Sequence, residues 1–388
     1  MVRPSPAAGI AFFDGETLVR MIATAVVTLS RQHAPRNPVY DDTVQGAFNH
    51  LVLRCLSQGV TPPASIPGMA RWAAHKPLRD WPLGLPDELE ASDGYLVDAG
   101  THAPTQQCLE WVVSAPDPAA EQFENQLMLG AIGECRVAKA PESYSAFRRL
   151  LITRPVLTGT ERALLGEDLD LSLLVETIKR SYEPASAAYL RDGVYAQCAR
   201  CHCLLVPLEH GGYRCELDRC RRDTRPVVGR TLDPARSGGV YQLTRPLRMF
   251  ITGPGLAEVD LETALTSKKL MPDMWPNFDA YDLRITLPNR QVWAIDVKDR
   301  ANPAFLGRGT QPFRADPPFD RAFLVVPQYR LDEREAYTRI FTHHLPDSLR
   351  GRVQLLSDQE FLRRLSTELR KIRRACADPA TSEGQTHA

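Results

Sequence analysis

Apolar residues recur at helical spacing over Gly15–Arg31 and again over Asp42–Ser57, which predicts two amphipathic helices at the start of the chain. Asp41 or Asp42 is placed to cap the second. Proline-rich breaks at Pro62-Pro63, 82–86 and 116–118 punctuate the chain beyond these helices, and Asp117 is placed to cap a helix running to Met128. Two further helices are expected at 160–165 and 171–182, the latter with Leu173, Leu174, Ile178 and Tyr182 along one face. The stretch 1–190 therefore reads as a mainly helical docking or scaffold region. The pattern then shortens to strand length, with Leu204 to Val206 as a strand, Gly211-Gly212 as a turn and Tyr213-Arg214 as the return. Residues 228–256 are rich in Gly and Pro and read as a linker. From 257 the periods mix: a helix at 257–268, strands at 282–287 and 292–298, a strand at 322–326, a helix at 332–343, a strand at 353–356 and a helix at 358–374. The expected fold is multidomain, α + α/β.

The two strands flanking Pro288-Asn289-Arg290-Gln291 form a β-hairpin in this reading. In the first, Leu283, Ile285 and Leu287 share a face, so Asp282 points the other way with Arg284 and Thr286. In the second, Trp293, Ile295 and Val297 share a face, and Asp296 and Lys298 stand together on the opposite one. An acid entering one strand and an Asp-x-Lys on its neighbour can converge. Two carboxylates a few ångströms apart repel, and a hard divalent ion with oxygen ligands, most simply Mg²⁺, resolves the conflict. Such an ion activates water and stabilises charge on a phosphodiester, while the lysine orients the water or neutralises the pentacovalent state. The plainer reading is a cross-strand salt bridge on an exposed hairpin. Against it, the Asp-Val-Lys lies inside an apolar strand. Trp275, Phe278, Tyr281 and Trp293 around the hairpin are suited to base stacking, although such residues more often belong to a core.

Composition and charge narrow the class. The 388 residues carry zero formal net charge, with 43% hydrophobic and 24% charged residues, as in an ordinary globular protein of two or three domains. Any basic surface for nucleic acid must be local. Arg219, Arg221, Arg222, Arg225 and Arg230 form one basic run suited to phosphate contacts or to a solvated loop, and Arg363, Arg364, Arg370, Lys371, Arg373 and Arg374 form another. No apolar run approaches the roughly 18 residues that span a bilayer, and a cytoplasmic protein is expected. Nine cysteines are present, five of them between residues 198 and 220. Cys198-x2-Cys201 followed by Cys215-x4-Cys220 has the arrangement of a zinc ribbon with a closed, structural Zn²⁺ site, with His202, Cys203 and His210 as alternative ligands. The chain lacks G-x-x-x-x-G-K-[ST], G-x-S-x-G and H-E-x-x-H, which sets aside ATP hydrolysis and the commonest hydrolase and zincin chemistries.

The order of elements from 257 to 358, with its acid and D-x-K positions, resembles the PD-(D/E)XK restriction-endonuclease-like fold. The string WPNFDAYDLRITLPNRQVWAIDVKD, a ribbon with CxxC and a GGYxCE turn, and a helical N-terminus together resemble the restriction-endonuclease-like protein associated with the PIWI/RE module of bacterial defence loci, from about residue 90 onward. The resemblance implies a C-terminal αβββαβ core over 257–375, a zinc ribbon over 191–227 and a nuclease subunit cutting DNA, or RNA, beside a PIWI-like protein and a helicase. It implies Asp282 as first ligand of Mg²⁺ or Mn²⁺, Asp296 as second and Lys298 as catalytic lysine. Asp279 rivals Asp282. Glu258 or Glu262 would supply a further helix carboxylate, with Glu262 preferred, and Gln328 would lie near the site. Asp299 should be structural, and 376–388 a disordered tail. The alternative is a zinc-ribbon adaptor that binds nucleic acid or a helicase or PIWI partner without cutting.

Overall fold

The computed structural model describes residues 14–31, 40–86, 89, 94–113, 123–221 and 226–377. The chain divides into two compact units, Met1–Glu121 and Gln122–Ala388, so the helical stretch 1–190 is split between them. In the first unit the helices Gly15–Arg31, Asp42–Ser57, Ile66–His75 and Gln106–Val113 accompany a two-stranded ladder of β1 (Val97–Asp98) and β2 (Ala103–Pro104). Their buried residues follow the helical period: Leu18, Val19, Ile22 and Val26 on the first helix, Val44, Ala47, Leu51 and Cys55 on the second. Asp41 caps the second helix by accepting the Thr43 N–H at 2.8 Å. The cap expected at Asp117 lies outside the described residues.

The second unit begins with the helices Phe123–Ala138 and Pro141–Thr153, followed by β3 (Val156–Thr158), the helix Val175–Ser181 and β4 (Tyr182–Pro184). Next come β5 (Leu190–Arg191), β6 (Val194–Cys198), the hairpin of β7 (Val206–Pro207) and β8 (Tyr213–Arg214), and the short helix Asp218–Arg221. Residues 228–256 are no linker. β9 (Val228–Leu232) pairs with β6, and β10 (Val240–Leu243) lies between β3 and β4 in an antiparallel sheet. Gly238 and Gly239, at φ +70° and +93°, make the turn between these strands. The glycines that suggested a linker thus serve a left-handed turn between two short strands. A helical turn then leads through a π-segment, Arg248–Thr252, into the helix Gly253–Ser267.

The remaining chain builds a five-stranded sheet in the order β11-β12-β13-β14-β15, from Asp273–Met274, Leu283–Thr286, Val292–Val297, Arg321–Val326 and Leu355–Ser357. β11, β12 and β13 are antiparallel, and β13, β14 and β15 are parallel. Trp293 on β13 packs on Phe323 and Phe361 with centroids 4.8 and 6.2 Å away, so the helix Asp358–Ala377 covers one face. Leu324 and Val326 join Leu306, Tyr337 and Phe341 in a buried cluster that covers the other. Both faces are covered, which is why β14 is apolar from Ala322 to Val326 and β13 from Val292 to Ile295.

Two features differ from the pattern-based reading. The helix Pro303–Gly309, capped by Asn302, fills the crossover from β13 to β14, and the helix expected at 332–343 is two pieces, Gln328–Glu333 and Tyr337–His344. Gly307 hides the first of these, because a glycine inside a short apolar run reads as a break. A Cβ there would meet the Phe341 carbonyl oxygen at 2.6 Å, so the residue permits close helix contact. Of the tail expected at 376–388, residues 376 and 377 end the last helix and 378–388 lie outside the described residues.

Gly255 sets the approach of the helix Gly253–Ser267 to the helix Pro141–Thr153, since a Cβ at Gly255 would collide with the Ile152 side chain. Gly255→Ala is expected to lower the stability of the second unit by about 1–3 kcal/mol through overpacking. A urea midpoint shifted down at unchanged slope is the readout; an unshifted midpoint would show that Ile152 yields freely.

Candidate active site

The hairpin register pairs Leu283 with Ile295 and Thr286 with Val292. Continued by one residue, it sets Asp282 opposite Asp296 at the end of the sheet where β13 finishes. Asp282 is buried, and its Oδ2 accepts the Val297 N–H at 2.6 Å. Lys298 Nζ stands 2.7 Å from Asp296 Oδ1 and 3.4 Å from Asp282 Oδ2, while its backbone N–H bonds the Val325 carbonyl at 2.8 Å. The lysine backbone is thus fixed by the parallel ladder. Asp296 and Lys298 keep 25% and 37% of their side chains exposed against 3% for Asp282, so the site opens on the Asp-x-Lys side.

Just ahead of Asp282 the backbone turns left-handed. Trp275, Asn277, Phe278 and Asp279 have φ of 51°, 47°, 55° and 68°, a conformation that costs non-glycine residues about 1–2 kcal/mol each. It is held by the Trp275 N–H on the Asp282 carbonyl at 2.8 Å and by the buried indole, whose Nε1 donates to Glu258 Oε2 at 2.5 Å. Strain of this kind collects at functional sites. Here it turns Asp279 toward Tyr144, whose hydroxyl donates to Asp279 Oδ2 at 3.1 Å.

A cation that sequence reasoning passed over completes the cluster. Arg148, on the helix Pro141–Thr153, places Nη2 2.9 Å from Glu258 Oε1 and 3.3 Å from Asp282 Oδ1, and its Nη1 bonds Asp279. Four carboxylates, Glu258, Asp279, Asp282 and Asp296, therefore meet two cations. Glu258 is the helix carboxylate of this cluster. Glu262, the preferred candidate, lies one turn further along and is held by a two-pronged pair with Arg149 at 2.7 and 2.9 Å. Helical spacing put both glutamates on one face and could not show which one meets Arg148 and Trp275. No local motif marks Arg148: its carboxylate partners lie 110 or more residues away, and only its place beside buried Tyr144, Phe147 and Leu151 hinted at an inward position.

The electrostatics divide the acids. Burial pushes Asp296 up to about 8, with Lys298 opposing and Asp282 adding to the rise. Burial likewise raises Glu258 to about 7 against the pull of Arg148, and Asp279 is raised by burial too. Asp282 goes the other way: burial pushes it up, but Lys298, Arg148 and the Val297 N–H outweigh that and hold it below the usual carboxylate range. Paired carboxylates whose affinities for a proton are driven apart are a common mark of a reactive or ion-binding site.

The other candidates fall outside the cluster. Gln328 donates its backbone N–H to Asp358 at 2.9 Å and its side-chain amide to Asp332 at 3.0 Å. Asp299, next to Lys298, is buried and pairs with Arg330 Nε at 2.6 Å and the Tyr329 hydroxyl at 2.5 Å. Trp275, Tyr281 and Trp293 are core residues, and Phe278 is half-buried. In the basic run, Arg219 pairs with Asp260, Arg221 with Asp218 and Arg230 with Glu161; Arg222 and Arg225 lie outside the described residues.

A second candidate centre lies in the β5-β6-β9 and β7-β8 region. Cys198 ends β6, Cys201 sits in the following turn, Cys215 follows β8 and Cys220 lies on the helix Asp218–Arg221. All four are buried, their sulfurs lie within 4.8 Å of one another, and Cys201 and Cys215 are 3.4 Å apart. Sulfurs tetrahedrally placed at about 2.3 Å from a zinc ion stand about 3.8 Å apart, so the cluster could hold a structural metal ion. His202, Cys203 and His210 are not in it. Among the described residues this is the group of His, Cys, Asp or Glu side chains close enough to enclose a metal directly; the carboxylates of the acid cluster are spaced by Arg148 and Lys298.

Residues 255–373, which carry Glu258, Asp279, Asp282, Asp296 and Lys298, match the family model for the REase associating with pPIWI_RE. Residues 18–158 match that for the pPIWI_RE three-gene island domain Y. The chain is a restriction-endonuclease-like protein of the PIWI/RE module. The similarity starts well ahead of residue 90, and the cysteine cluster falls between the two matched segments. Arg148 belongs to the domain Y match, and the acids belong to the REase match. In this PIWI/RE-module protein one site therefore draws on both. No curated protein and no solved structure matches the chain. Among the described residues no helix is long and apolar enough to cross a membrane.

Proposed function

We propose that the chain is a metal-dependent endonuclease of the PD-(D/E)XK type that hydrolyses phosphodiester bonds, preferentially in DNA, within a PIWI/RE defence island. The observation that carries this reading is the pair of facing carboxylates, Asp282 and Asp296, bridged by Lys298 at the open end of the sheet. The donor set is all hard oxygen, which suits Mg²⁺ or Mn²⁺ and not a soft ion. Asp282 and Asp296 would hold the ion. When bound, it supplies Lewis-acid stabilisation of the phosphoryl oxygens and an activated water.

The protein's own groups do the rest. The Val297 N–H and Lys298 fix Asp282 in orientation, as preorganisation at such a centre requires. The Lys298 ammonium, exposed enough to reach a substrate and anchored through Val325, neutralises charge that develops on the phosphorus centre. The four thiolates of Cys198, Cys201, Cys215 and Cys220 would close a zinc site with no open position, which makes that metal structural. The PIWI/RE match supports a PIWI-like protein and other products of the island as partners; a helicase among them is part of this proposal.

The test is direct. Purified chain, alone and with its island neighbours, is incubated with plasmid, single-stranded DNA and RNA in Mg²⁺, Mn²⁺ or EDTA. Cleavage that needs the divalent ion is the expected result. Binding of nucleic acid or partner undiminished by EDTA, with no cutting under any condition, would favour the non-cleaving adaptor.

A further inference from the structure

Arg148 takes up oxygens that a metal-dependent nuclease would otherwise offer to ions. Glu258 gives Oε1 to Arg148 at 2.9 Å and Oε2 to the Trp275 indole at 2.5 Å. Asp279 Oδ2 accepts from both Arg148 and Tyr144. Asp282 turns Oδ1 to Arg148 and Oδ2 to the Asp296 side of the site, where Lys298 stands. The side chain is only 12% exposed, and its guanidinium carbon lies 5.4 Å from the centroid of the Trp275 ring, with that of Arg149 at 5.3 Å. It is a fixture of the fold and not a mobile surface arginine. A planar, permanently charged fork matches carboxylates in a way that a hydrated ion does not.

We infer that Arg148 is a built-in counter-cation standing in the Glu258–Asp279–Asp282 pocket where a second divalent ion would otherwise sit, so that the site takes a single ion at Asp282 and Asp296. The inference rests on the reading of this site as a metal centre. With all four carboxylates ionised around a bound cation, Arg148 and Lys298 leave two negative charges, which one divalent ion balances. Removing the arginine leaves three and frees oxygens on Glu258, Asp279 and Asp282 at once. Arg148 acts here as a positioning residue supplied from the segment matched to domain Y, which ties the ion count of the nuclease-like part to the integrity of that segment.

The experiment counts Mn²⁺ bound to the full chain, with the ribbon cysteines loaded beforehand with Zn²⁺, by the electron paramagnetic resonance signal of free Mn²⁺ during titration. Mn²⁺ prefers oxygen ligands and so reports on the acid cluster and not on the thiolates. The wild type is expected to bind one ion, Arg148→Lys one, and Arg148→Met two. Two ions on the wild type would overturn the inference and leave the nuclease reading intact, and so would one ion of unchanged affinity on a folded Arg148→Met. No bound ion on the wild type would overturn both. Should Arg148→Met fail to fold, the wild-type count still decides.

Discussion

Lys298→Ala is expected to lower the single-turnover rate of the proposed metal-dependent cleavage by about 10²–10³-fold, the loss that accompanies removal of one preorganised charge from a site where negative charge develops. The fold should survive. More than a third of the side chain is exposed, and the strand end is held by the Lys298 backbone on Val325. Arginine is a poor replacement, because its fork would pair with Asp282 and Asp296 together and draw the charge away from the substrate. Lys298→Arg is therefore expected to restore little of the rate. A Lys298→Ala protein with native circular dichroism and an undiminished rate would remove the lysine from the chemistry.

Chelation of a metal ion held by the proposed four-cysteine site is expected to loosen the acid site as well as the segment around the cysteines. The helix Asp218–Arg221 carries Cys220 and reaches the nuclease-like part on two sides. Arg219 pairs with Asp260 on the helix that bears Glu258, at 2.5 Å. Asp218 approaches Arg330 at 4.0 Å, and Arg330 holds Asp299, the neighbour of Lys298, at 2.6 Å. Glu216, one residue after Cys215, is buried with Arg248 at the start of the π-segment that leads into the same helix. Breaking one partner out of a buried pair costs about 3–5 kcal/mol, and structural zinc contributes on the order of 10 kcal/mol in small metal-bound units. For a unit of this size about 5 kcal/mol corresponds to a fall in Tm of roughly 10 °C or more. Chelation, or Cys201→Ser, should produce that fall. Amide exchange should rise at 258–262 and 328–333 in addition to the ribbon, whereas a rise confined to 194–221 would show that the two centres are energetically separate.

The residues that were legible in the sequence are those whose placement depends on local period. Alternation along two short strands put Asp282, Asp296 and Lys298 on a common side, and the hairpin register brings them together. The spacing of Cys198, Cys201, Cys215 and Cys220 did the same for the cysteine cluster. Illegible were the features that depend on which distant elements pack together. Glu258 and Glu262 are equivalent in a helical pattern, and only the approach of Pro141–Thr153 assigns Arg148 to one and Arg149 to the other. The segment 228–256 hid two strands because each is short and finds partners in β6, β3 and β4, far away in sequence. The left-handed residues Trp275, Asn277, Phe278 and Asp279 run against local propensity, and tertiary contacts with Glu258 and Asp282 hold them.

The measurement that bears most directly on the proposed activity is cleavage of plasmid DNA by the wild type and by Asp296→Ala side by side, with Mg²⁺, in the presence of the island partners. Cutting by the wild type, its loss on addition of EDTA, and no cutting by a folded Asp296→Ala is the expected result. Equal cutting by the two proteins would place the chemistry elsewhere and contradict the assignment of Asp282, Asp296 and Lys298.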